Sequence, residues 1–404
     1  MSQPDPDGSI LLTTDAVADL LVAAVQHAGG RLLGWQLDHV DSAPQHSTTA
    51  TYYAEVDWPH GRRTELLGVS ARAGAPTKTD SLAEIFADGD REVAVWIYPR
   101  DPDLPGLARV AYPEHLVDLI NARNLAGRLV TPAEVDLRMI GYRPRRRAVV
   151  RARVGAMTLY IKVLRPKVFG DIALKHRLLT EAGLPAPEVL AETEDALLVL
   201  RKLPGRPLAK AIFQPELPCT AEQLINILDA MPPAVADLER RPPWSDAVEH
   251  YADIVAQALP SESPRLDWLV REIRSGLRGI PLGTEPTHGD FHEGQLHVHD
   301  GRIVGILDVD TIGPGRRADD LACLIAHLST VQGMNAEQAA RLRSLLATWV
   351  PVFDERVDPV ELRLRAAAVI VSLATGPYRS QEPNWQAQTA QVVGAAIALV
   401  RQVT

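Results

Sequence analysis

The sequence predicts an α+β fold built from a strand-rich part followed by a helical part. Short apolar segments separated by Gly- and Pro-bearing turns dominate the N-terminal half, whereas apolar residues recur at helical spacing from Thr220 onward. A third observation is a short hairpin near residue 300 with acidic residues at both ends. Segments of these kinds pack as a sheet-bearing part and a helical part, and ligand sites concentrate in the cleft of such folds.

The first 128 residues are predicted to form a small α+β subdomain. Apolar residues at helical spacing indicate one helix over Leu11–Ala28, which ends at a glycine pair. Four strands follow, separated by polar or Gly/Pro-bearing turns, and we expect them to form an antiparallel sheet. The strands are Leu32–Val40, Thr48–Asp57, Arg63–Ala71 and Glu92–Tyr98.

A similar layout recurs over residues 129–203, which we predict to be a second sheet with one helix. The helix is expected over Asp171–Ala182, since it stops before Gly183-Leu184-Pro185. Residues 204–404 are predicted to be a third, mainly helical domain. Strands of the second sheet are expected at Val135–Tyr142, Ala148–Val154, Leu159–Leu164 and Ala196–Leu200. Helices of the third domain are expected at Ala221–Ala230, Trp244–Ala258, Leu266–Leu277, Asp319–Thr330, Ala336–Val350, Pro359–Ala374 and Ala387–Val400.

The hairpin carries the candidate chemistry. Asp300-Gly301 separates the apolar strands Gln295–His299 and Arg302–Leu307, and such a dipeptide favours a two-residue turn. Because an antiparallel hairpin brings its open ends together, we expect Asp290, Gln295 and Asp308 to converge. Oxygen ligands of this kind suit Mg²⁺, and a further carboxylate can take the proton of an attacking hydroxyl. We therefore assign Asp290 as base or hydroxyl-orienting residue, and Gln295 and Asp308 as metal ligands.

These motifs resemble those of a known superfamily. His288-Gly289-Asp290, with a carboxamide at the fifth position after the Asp, and Gly305-Ile306-Leu307-Asp308 are similar to the catalytic loop and metal-binding Asp of the aminoglycoside phosphotransferase and choline kinase superfamily. Gln295 stands where that superfamily usually has Asn, and the string from His288 to Gln295 is closer to maltokinases and related bacterial sugar kinases. The resemblance implies a bilobal protein-kinase-like fold, ATP and Mg²⁺ as cofactors, and residues 1–128 as an additional N-terminal cap.

The same resemblance implies how the nucleotide is bound. Lys162 interrupts an apolar strand, where a buried ammonium needs an anion, and the matching lysine of kinase-like folds contacts the nucleotide phosphates. The turn before this strand lacks the glycines of protein kinases, and Arg145 and Arg146 are its candidate phosphate contacts. Lys175 or His176 stands where kinases often place a Glu; whether Glu181, another acid or phosphate alone orients Lys162 stays open. The candidates for the adenine site at the hinge are Leu200, Arg201 and Leu203.

Further residues are assigned supporting or substrate roles. We expect His288 to brace the catalytic loop and Asp320, which precedes Leu-Ala, to anchor it, as an equivalent Asp does in the superfamily. Asp310 is expected to support the metal or orient the substrate. The remaining substrate candidates are Glu293, Tyr378, Arg379, Glu382 and Trp385. A zinc site is disfavoured, because His288 and His292 would share one face only on a helix.

Composition narrows the function classes. A net charge of −9 gives no reason to expect nucleic acid or an anionic membrane as a partner, and two cysteines are too few for a disulfide framework. No apolar run approaches a spanning length and no signal pattern opens the chain, so we expect a cytoplasmic monomer or homodimer acting on a small molecule.

The predicted function is ATP- and Mg²⁺-dependent phosphorylation of a hydroxyl on a sugar, an amino sugar or a sugar-containing small molecule. One alternative is an aminoglycoside or macrolide antibiotic phosphotransferase. Another, motivated by the missing glycine loop and helix Glu, is a kinase-like nucleotide-binding regulatory module without turnover.

Overall fold

The computed structural model describes residues 5–43, 46–73, 82–88 and 91–404. The chain divides into two compact units. The first unit comprises Met1–Gly170, Val189–Arg201 and Tyr378–Pro383, and the second comprises Asp171–Glu188, Lys202–Pro377 and Asn384–Thr404. The division into three domains at residues 128 and 203 stays a prediction.

The first sheet of the first unit is antiparallel, with strand order β1-β2-β3-β5-β4. The predicted single helix before it is broken: Thr14 is extended, and its hydroxyl accepts a hydrogen bond from the Ala16 N–H, so a new turn starts there. Strand β4 was not predicted. The elements are α1 Ser9–Thr13, α2 Ala18–His27, β1 Arg31–Ala43, β2 Ser47–Trp58, β3 Gly61–Ala73, β4 Glu84–Asp88 and β5 Arg91–Ile97.

The second sheet repeats the connectivity of the first, with order β6-β7-β8-β10-β9. The predicted recurrence of the strand layout is therefore confirmed at the level of topology. Helix α4, which we did not predict, buries Leu116, Leu119 and Ile120 in the apolar core of this sheet. The elements are α3 Leu107–Val110, α4 Pro113–Ala122, β6 Val135–Arg143, β7 Arg147–Val154, β8 Met157–Leu164, β9 Val189–Glu192 and β10 Leu197–Arg201.

A polar network joins the two sheets of the first unit. Tyr142 from β6 donates its hydroxyl proton to the buried carboxylate of Asp101, 2.7 Å away, and accepts the indole N–H of Trp96 on β5 at 2.9 Å. Burial raises the pKa of Asp101 against the opposing effect of its hydrogen bonds. These contacts satisfy polar groups that would otherwise be costly to bury.

Helix α5, Pro166–Glu181, begins earlier than predicted, since Pro is well accommodated in a first helical turn. The other elements after β10 are mostly helices, as predicted, and pack around one apolar core that includes Phe291 of the catalytic loop. The helices are α6 Leu208–Ala211, α7 Ala221–Asp229, α8 Val248–Ala258, α9 Ser263–Gly276, α10 Arg317–Ser329, α11 Ala336–Arg356, α12 Pro359–Leu373, α13 Gly376–Arg379 and α14 Trp385–Val400. The strands are β11 Arg206–Pro207, β12 Glu285–Thr287, β13 Leu296–His299, β14 Arg302–Ile306 and β15 Gly313–Gly315.

The observed mixture of antiparallel sheets and helices confirms the predicted α+β class. Within the described ranges, no helix combines the length and the apolar character needed to cross a bilayer.

Candidate active site

The predicted hairpin is confirmed as β13 paired antiparallel to β14. Asp300 and Gly301 have φ of 47° and 70°, the left-handed conformation that a tight two-residue turn requires. At the open end, the Leu307 N–H donates to the Gln295 carbonyl at 2.7 Å. Pairing therefore continues to the residue before Asp308, and it holds Gln295 next to the strand that leads into Asp308.

The catalytic loop is anchored by helix α10. The carboxylate of Asp320 is fully buried and accepts the backbone N–H groups of His288 at 2.9 Å and Gly289 at 2.8 Å. Burial raises the pKa of Asp320, opposed by the nearby His288 and by Arg317, whose guanidinium lies 3.3 Å away. Two backbone groups immediately before Asp290 are thus fixed by one buried acid, which is the kind of contact that an anchoring residue makes.

Gly289 is required by the shape of this loop. Its φ is 79°, and a Cβ at this position would lie 2.6 Å from the carbonyl oxygen of Thr311. Thr311 also donates its hydroxyl proton to the His288 carbonyl at 2.7 Å. Only glycine combines this backbone conformation with such a close approach.

His288 connects Asp290 to the metal-site strand. Its Nε2 lies 2.8 Å from the Leu307 carbonyl, and its Nδ1 lies 3.3 Å from the Asp290 backbone nitrogen. Because a carbonyl oxygen can only accept, Nε2 carries the proton and Nδ1 accepts the Asp290 N–H. The buried imidazole therefore couples the backbone of Asp290 to the residue that precedes Asp308.

One face of α10 lines the loop with residues at i, i+3 and i+7: Asp320, Cys323 and His327. The Cys323 thiol donates to Asp290 Oδ1 at 3.8 Å, a distance acceptable for sulfur. Burial, with Asp290 adding to it, raises the pKa of Cys323 well above its usual value, so the proton stays on sulfur. The His327 ring stacks on His292 with centroids 4.0 Å apart and planes 5° from parallel.

Sequence reasoning missed Cys323 and His327, which it treated as part of an ordinary core helix. A usable signal was the spacing of polar residues along α10, since three and four residues return a side chain to the same face. The partner loop lies more than thirty positions upstream, so no local pattern identifies the contact.

Asp290 and Asp308 each affect the pKa of one partly buried side chain in the loop between them. Burial, reinforced by Asp290, raises the pKa of Glu293 to about 7. Burial lowers the pKa of His292 to about 4, with Asp308 acting in the opposite direction. The Glu293 Oε2 atom is buried and has no hydrogen-bond partner among the described residues. Asp290 thus acts on Glu293 and Asp308 acts on His292, while the predicted convergence of Asp290, Gln295 and Asp308 stays a prediction.

Two groups of side chains in this region have the composition of metal sites: Asp290, Cys323 and His327, and His292, Glu293 and His327. Both ring nitrogens of His292 already have protein partners, Gly294 at 3.1 Å and Gln295 at 3.0 Å. These contacts continue to disfavour zinc, whereas the oxygen atoms of Gln295 and Asp308 are the donor type that suits Mg²⁺.

The helix positions where kinases often place a Glu are engaged within the second unit. The buried Lys175 donates to the Asp310 carbonyl at 3.0 Å and forms an ion pair with Asp171 at 2.8 Å. His176 is fully buried, with Nδ1 3.2 Å from the Pro187 carbonyl. Lys175 thus supports the segment that follows Asp308, and the acidic partner of Lys162 stays open.

The predicted nucleotide residues mostly lie in the second sheet. Lys162 is only 7% exposed on β8, between Val149 of β7 and Leu198 of β10. Of the hinge candidates, Leu200 is buried and Arg201 is exposed at the end of β10, and Leu203 is buried in the second unit. Their assignment to the nucleotide stays a prediction.

Arg145 and Arg146 make contacts with the first subdomain. Arg145 donates from Nε to Asp103 and from Nη1 to Ser70, each at 2.8 Å, and Arg146 forms an ion pair with Asp41 at 2.7 Å. Any contact of these guanidinium groups with phosphate would have to compete with these partners.

The four substrate candidates near the C-terminus fall in different units. Tyr378 packs against the apolar core of the first sheet, and Arg379 lies 3.4 Å from Asp41, both within the first unit. Glu382 is half-buried in that unit, whereas Trp385 begins α14 in the second. Their substrate roles stay predictions.

Comparison with known proteins identifies one family. The family described as "Phosphotransferase enzyme family" matches residues 172–356, which include the catalytic loop and the hairpin. A search of curated proteins gave no significant match. This segment of the chain is therefore similar to that family, and it lies wholly within the part of the chain that follows β8.

Several solved structures are similar to this chain. Aminoglycoside phosphotransferase APH(4)-Ia superposes with a TM-score of 0.50 at 17% identity, covering 71% of this chain and 97% of that chain. A Plasmodium vivax ethanolamine kinase gives a TM-score of 0.46 at 11% identity, with 72% and 90% covered. A macrolide 2'-phosphotransferase from Brachybacterium faecium gives 0.41 at 18% identity, with 69% and 98% covered. The likeness to APH(4)-Ia confirms the predicted bilobal protein-kinase-like fold.

Proposed function

We propose that this chain is an ATP- and Mg²⁺-dependent phosphotransferase whose acceptor is a hydroxyl of a sugar, an amino sugar or a sugar-containing small molecule. The observation that carries the proposal is the double fixation of the loop before Asp290, by Asp320 from α10 and by His288 to Leu307. This arrangement ties a carboxylate to the residues that flank Asp308. The Gln at position 295 supports the sugar-kinase branch.

Asp290 accepts or orients the proton of the attacking hydroxyl. The Cys323 thiol occupies Oδ1 of this carboxylate and leaves Oδ2 for the acceptor. Gln295 and Asp308 would hold Mg²⁺, which neutralises charge on the phosphates when bound. Lys162 adds a positive charge for the phosphates, and it is buried enough that an anion is favourable beside it.

Glu293 is the best-supported acceptor contact. A buried carboxyl oxygen without a hydrogen-bond partner is costly, and a hydroxyl or ammonium group of the acceptor would satisfy it. The effect of Asp290 on the pKa of Glu293 supports a contact near the attacked hydroxyl. Asp310, Tyr378, Arg379, Glu382 and Trp385 stay candidates for the remainder of the acceptor.

The test is release of ADP from ATP in the presence of Mg²⁺ across maltose, glucose, glucosamine, aminoglycosides and a macrolide. Asp308→Asn should lower turnover on the order of 10²-fold or more, because a group that offsets charge in the transition state is lost. Asp300→Asn, in the turn of the same hairpin, is the matched control, since Asn tolerates its φ of 47°. Near-wild-type turnover of Asp308→Asn would defeat the metal assignment.

An antibiotic acceptor is the second candidate, because a solved structure of similar fold is an aminoglycoside phosphotransferase. Resistance of an expressing host on aminoglycoside and macrolide panels would favour it over a sugar kinase. The regulatory-module alternative predicts no turnover with any acceptor. A thermal shift with ATP, measured with and without Mg²⁺, separates a nucleotide-binding module from a protein that does not bind nucleotide.

A further inference from the structure

We propose that His292 is a positioning residue that holds the Gln295 carboxamide with its oxygen in the orientation for metal binding. This inference rests on the proposed function, because it takes Gln295 as a metal ligand. The two side chains meet at 3.0 Å between His292 Nε2 and the amide nitrogen Nε2 of Gln295.

The protonation of His292 follows from its other contact. The Gly294 backbone N–H donates to His292 Nδ1 at 3.1 Å, so Nδ1 carries no proton. A neutral imidazole then carries its proton on Nε2, which is a donor. An amide nitrogen cannot accept this proton, so we assign the Gln295 carboxamide in the flipped orientation, with Oε1 in the place of Nε2 and facing His292.

Oε1 retains a second lone pair after accepting from His292. A carbonyl oxygen has two acceptor positions, so one is available for a cation. Glutamine otherwise has several freely rotating bonds, and ordering such a side chain on metal binding costs entropy. A hydrogen bond made before the cation arrives removes part of this cost, as supporting residues around metal ligands commonly do.

The His292 ring is itself immobilised. It stacks in parallel on His327 from α10 with centroids 4.0 Å apart, and its side chain is 16% exposed. His327 on α10 thus holds the His292 ring, and the His292 ring in turn holds the Gln295 carboxamide.

The test is a double-mutant cycle read by Mn²⁺ affinity in the presence of AMP-PNP, measured as free Mn²⁺ by electron paramagnetic resonance. His292→Asn keeps an acceptor for the Gly294 N–H and loses the donor to Gln295. We expect it to weaken Mn²⁺ binding about 10- to 100-fold, the effect typical of a lost supporting partner. In a Gln295→Ala background the same substitution should have no further effect.

His297→Asn is the matched control, because that histidine lies on β13 and contacts the Pro204 carbonyl. Its Mn²⁺ affinity should equal that of the wild type. The affinity for AMP-PNP without metal should be unchanged in His292→Asn, which separates loss of ligand positioning from a general disturbance of the loop.

A second readout does not need the metal. Nitrogen-15 spectra of histidine-labelled protein should show the Nε2–H tautomer for His292. Its signals are identified as those that disappear in His292→Asn. The Nδ1–H tautomer would overturn the inference. So would an unchanged Mn²⁺ affinity of His292→Asn, or an equal loss in the Gln295→Ala background, both of which leave the proposed function intact. A wild-type protein that binds no Mn²⁺ with nucleotide would instead defeat both proposals.

Discussion

Asp320→Asn should separate the anchoring of the catalytic loop from the stability of the fold. The carboxylate accepts two backbone N–H groups, at 2.9 and 2.8 Å, and faces Arg317 at 3.3 Å. An amide offers one acceptor oxygen, so one buried N–H meets an NH₂ group instead. An unsatisfied buried donor costs about 1–3 kcal/mol.

Loss of the negative charge adds to this cost. Removing one partner of a buried ion pair costs about 3–5 kcal/mol when the other is left alone. Arg317 is not left alone, because it retains Asp229 at 3.1 Å and the Leu228 carbonyl at 3.1 Å. We therefore expect a total loss of about 2–4 kcal/mol in the free energy of unfolding, measured by urea denaturation.

Turnover per folded molecule should fall on the order of 10²-fold, because Asp290 follows directly on the released backbone groups and a misplacement of about 1 Å has an effect of this size. The matched control is the neighbouring Asp319→Asn. Asp319 is partly buried, pairs with Arg365 at 2.6 Å and accepts the Arg316 N–H, and no hydrogen bond joins it to the loop in the described part of the chain. It should lose stability and retain turnover. Equal loss of turnover in both variants would refute the anchoring role.

Two further predictions concern the same loop. Gly289→Ala should lower the free energy of unfolding by about 2 kcal/mol or more and abolish turnover, because Cβ would add a clash with Thr311 to the strain of positive φ. The control is Gly155→Ala, with φ of 58° and no atom near its Cβ, which should lose only the strain energy of about 1–2 kcal/mol in urea denaturation. Equal losses in the two variants would contradict the clash. His327→Phe, which keeps an aromatic ring on His292, should make the free energy of unfolding less dependent on pH in the acid range. Burial lowers the pKa of His327 to about 3, so its contribution to stability is complete above pH 6.5 and declines as the pH falls toward 3, by at most about 1.4 kcal/mol per pH unit. An unchanged slope of stability against pH in the variant would contradict this.

The sequence predicted the features that depend on local chemistry. Asp300-Gly301 specified the turn, but a bulge between His297 and Val298 shifts the register by one residue and so sets Leu307 against Gln295. Most helices of the second unit were predicted from apolar spacing because each buries one continuous face. The repeated strand order was suggested by the spacing of strands and turns, although the two segments share no sequence similarity.

The features that sequence reasoning missed depend on distant contacts. Helix α4 was not predicted, because its short apolar segment lies between two loop-like stretches and is stabilised by packing Leu116 and Ile120 against the second sheet. Tyr378 and Arg379 were predicted as substrate candidates, and nothing in the sequence indicated that Tyr378 packs on the first sheet or that Arg379 pairs with Asp41. Cys323 and His327 lie on a helix with an ordinary apolar pattern, and only their contacts with Asp290 and His292 distinguish them from core residues.

The spacing of His288 and His292, which first suggested a metal site, has a different explanation in the folded loop. Each imidazole accepts at Nδ1 the backbone N–H of the residue two positions later, Asp290 or Gly294. Each therefore carries its proton on Nε2 and directs it to one side of the hairpin mouth, to the Leu307 carbonyl or the Gln295 carboxamide. Two neutral histidines thus hold the backbone of Asp290, the proposed catalytic acid, and the side chain of Gln295, the proposed metal ligand. This accounts for both histidines without a zinc ion. Burial lowers the pKa of His292 and so keeps its ring neutral, as this hydrogen-bond arrangement requires.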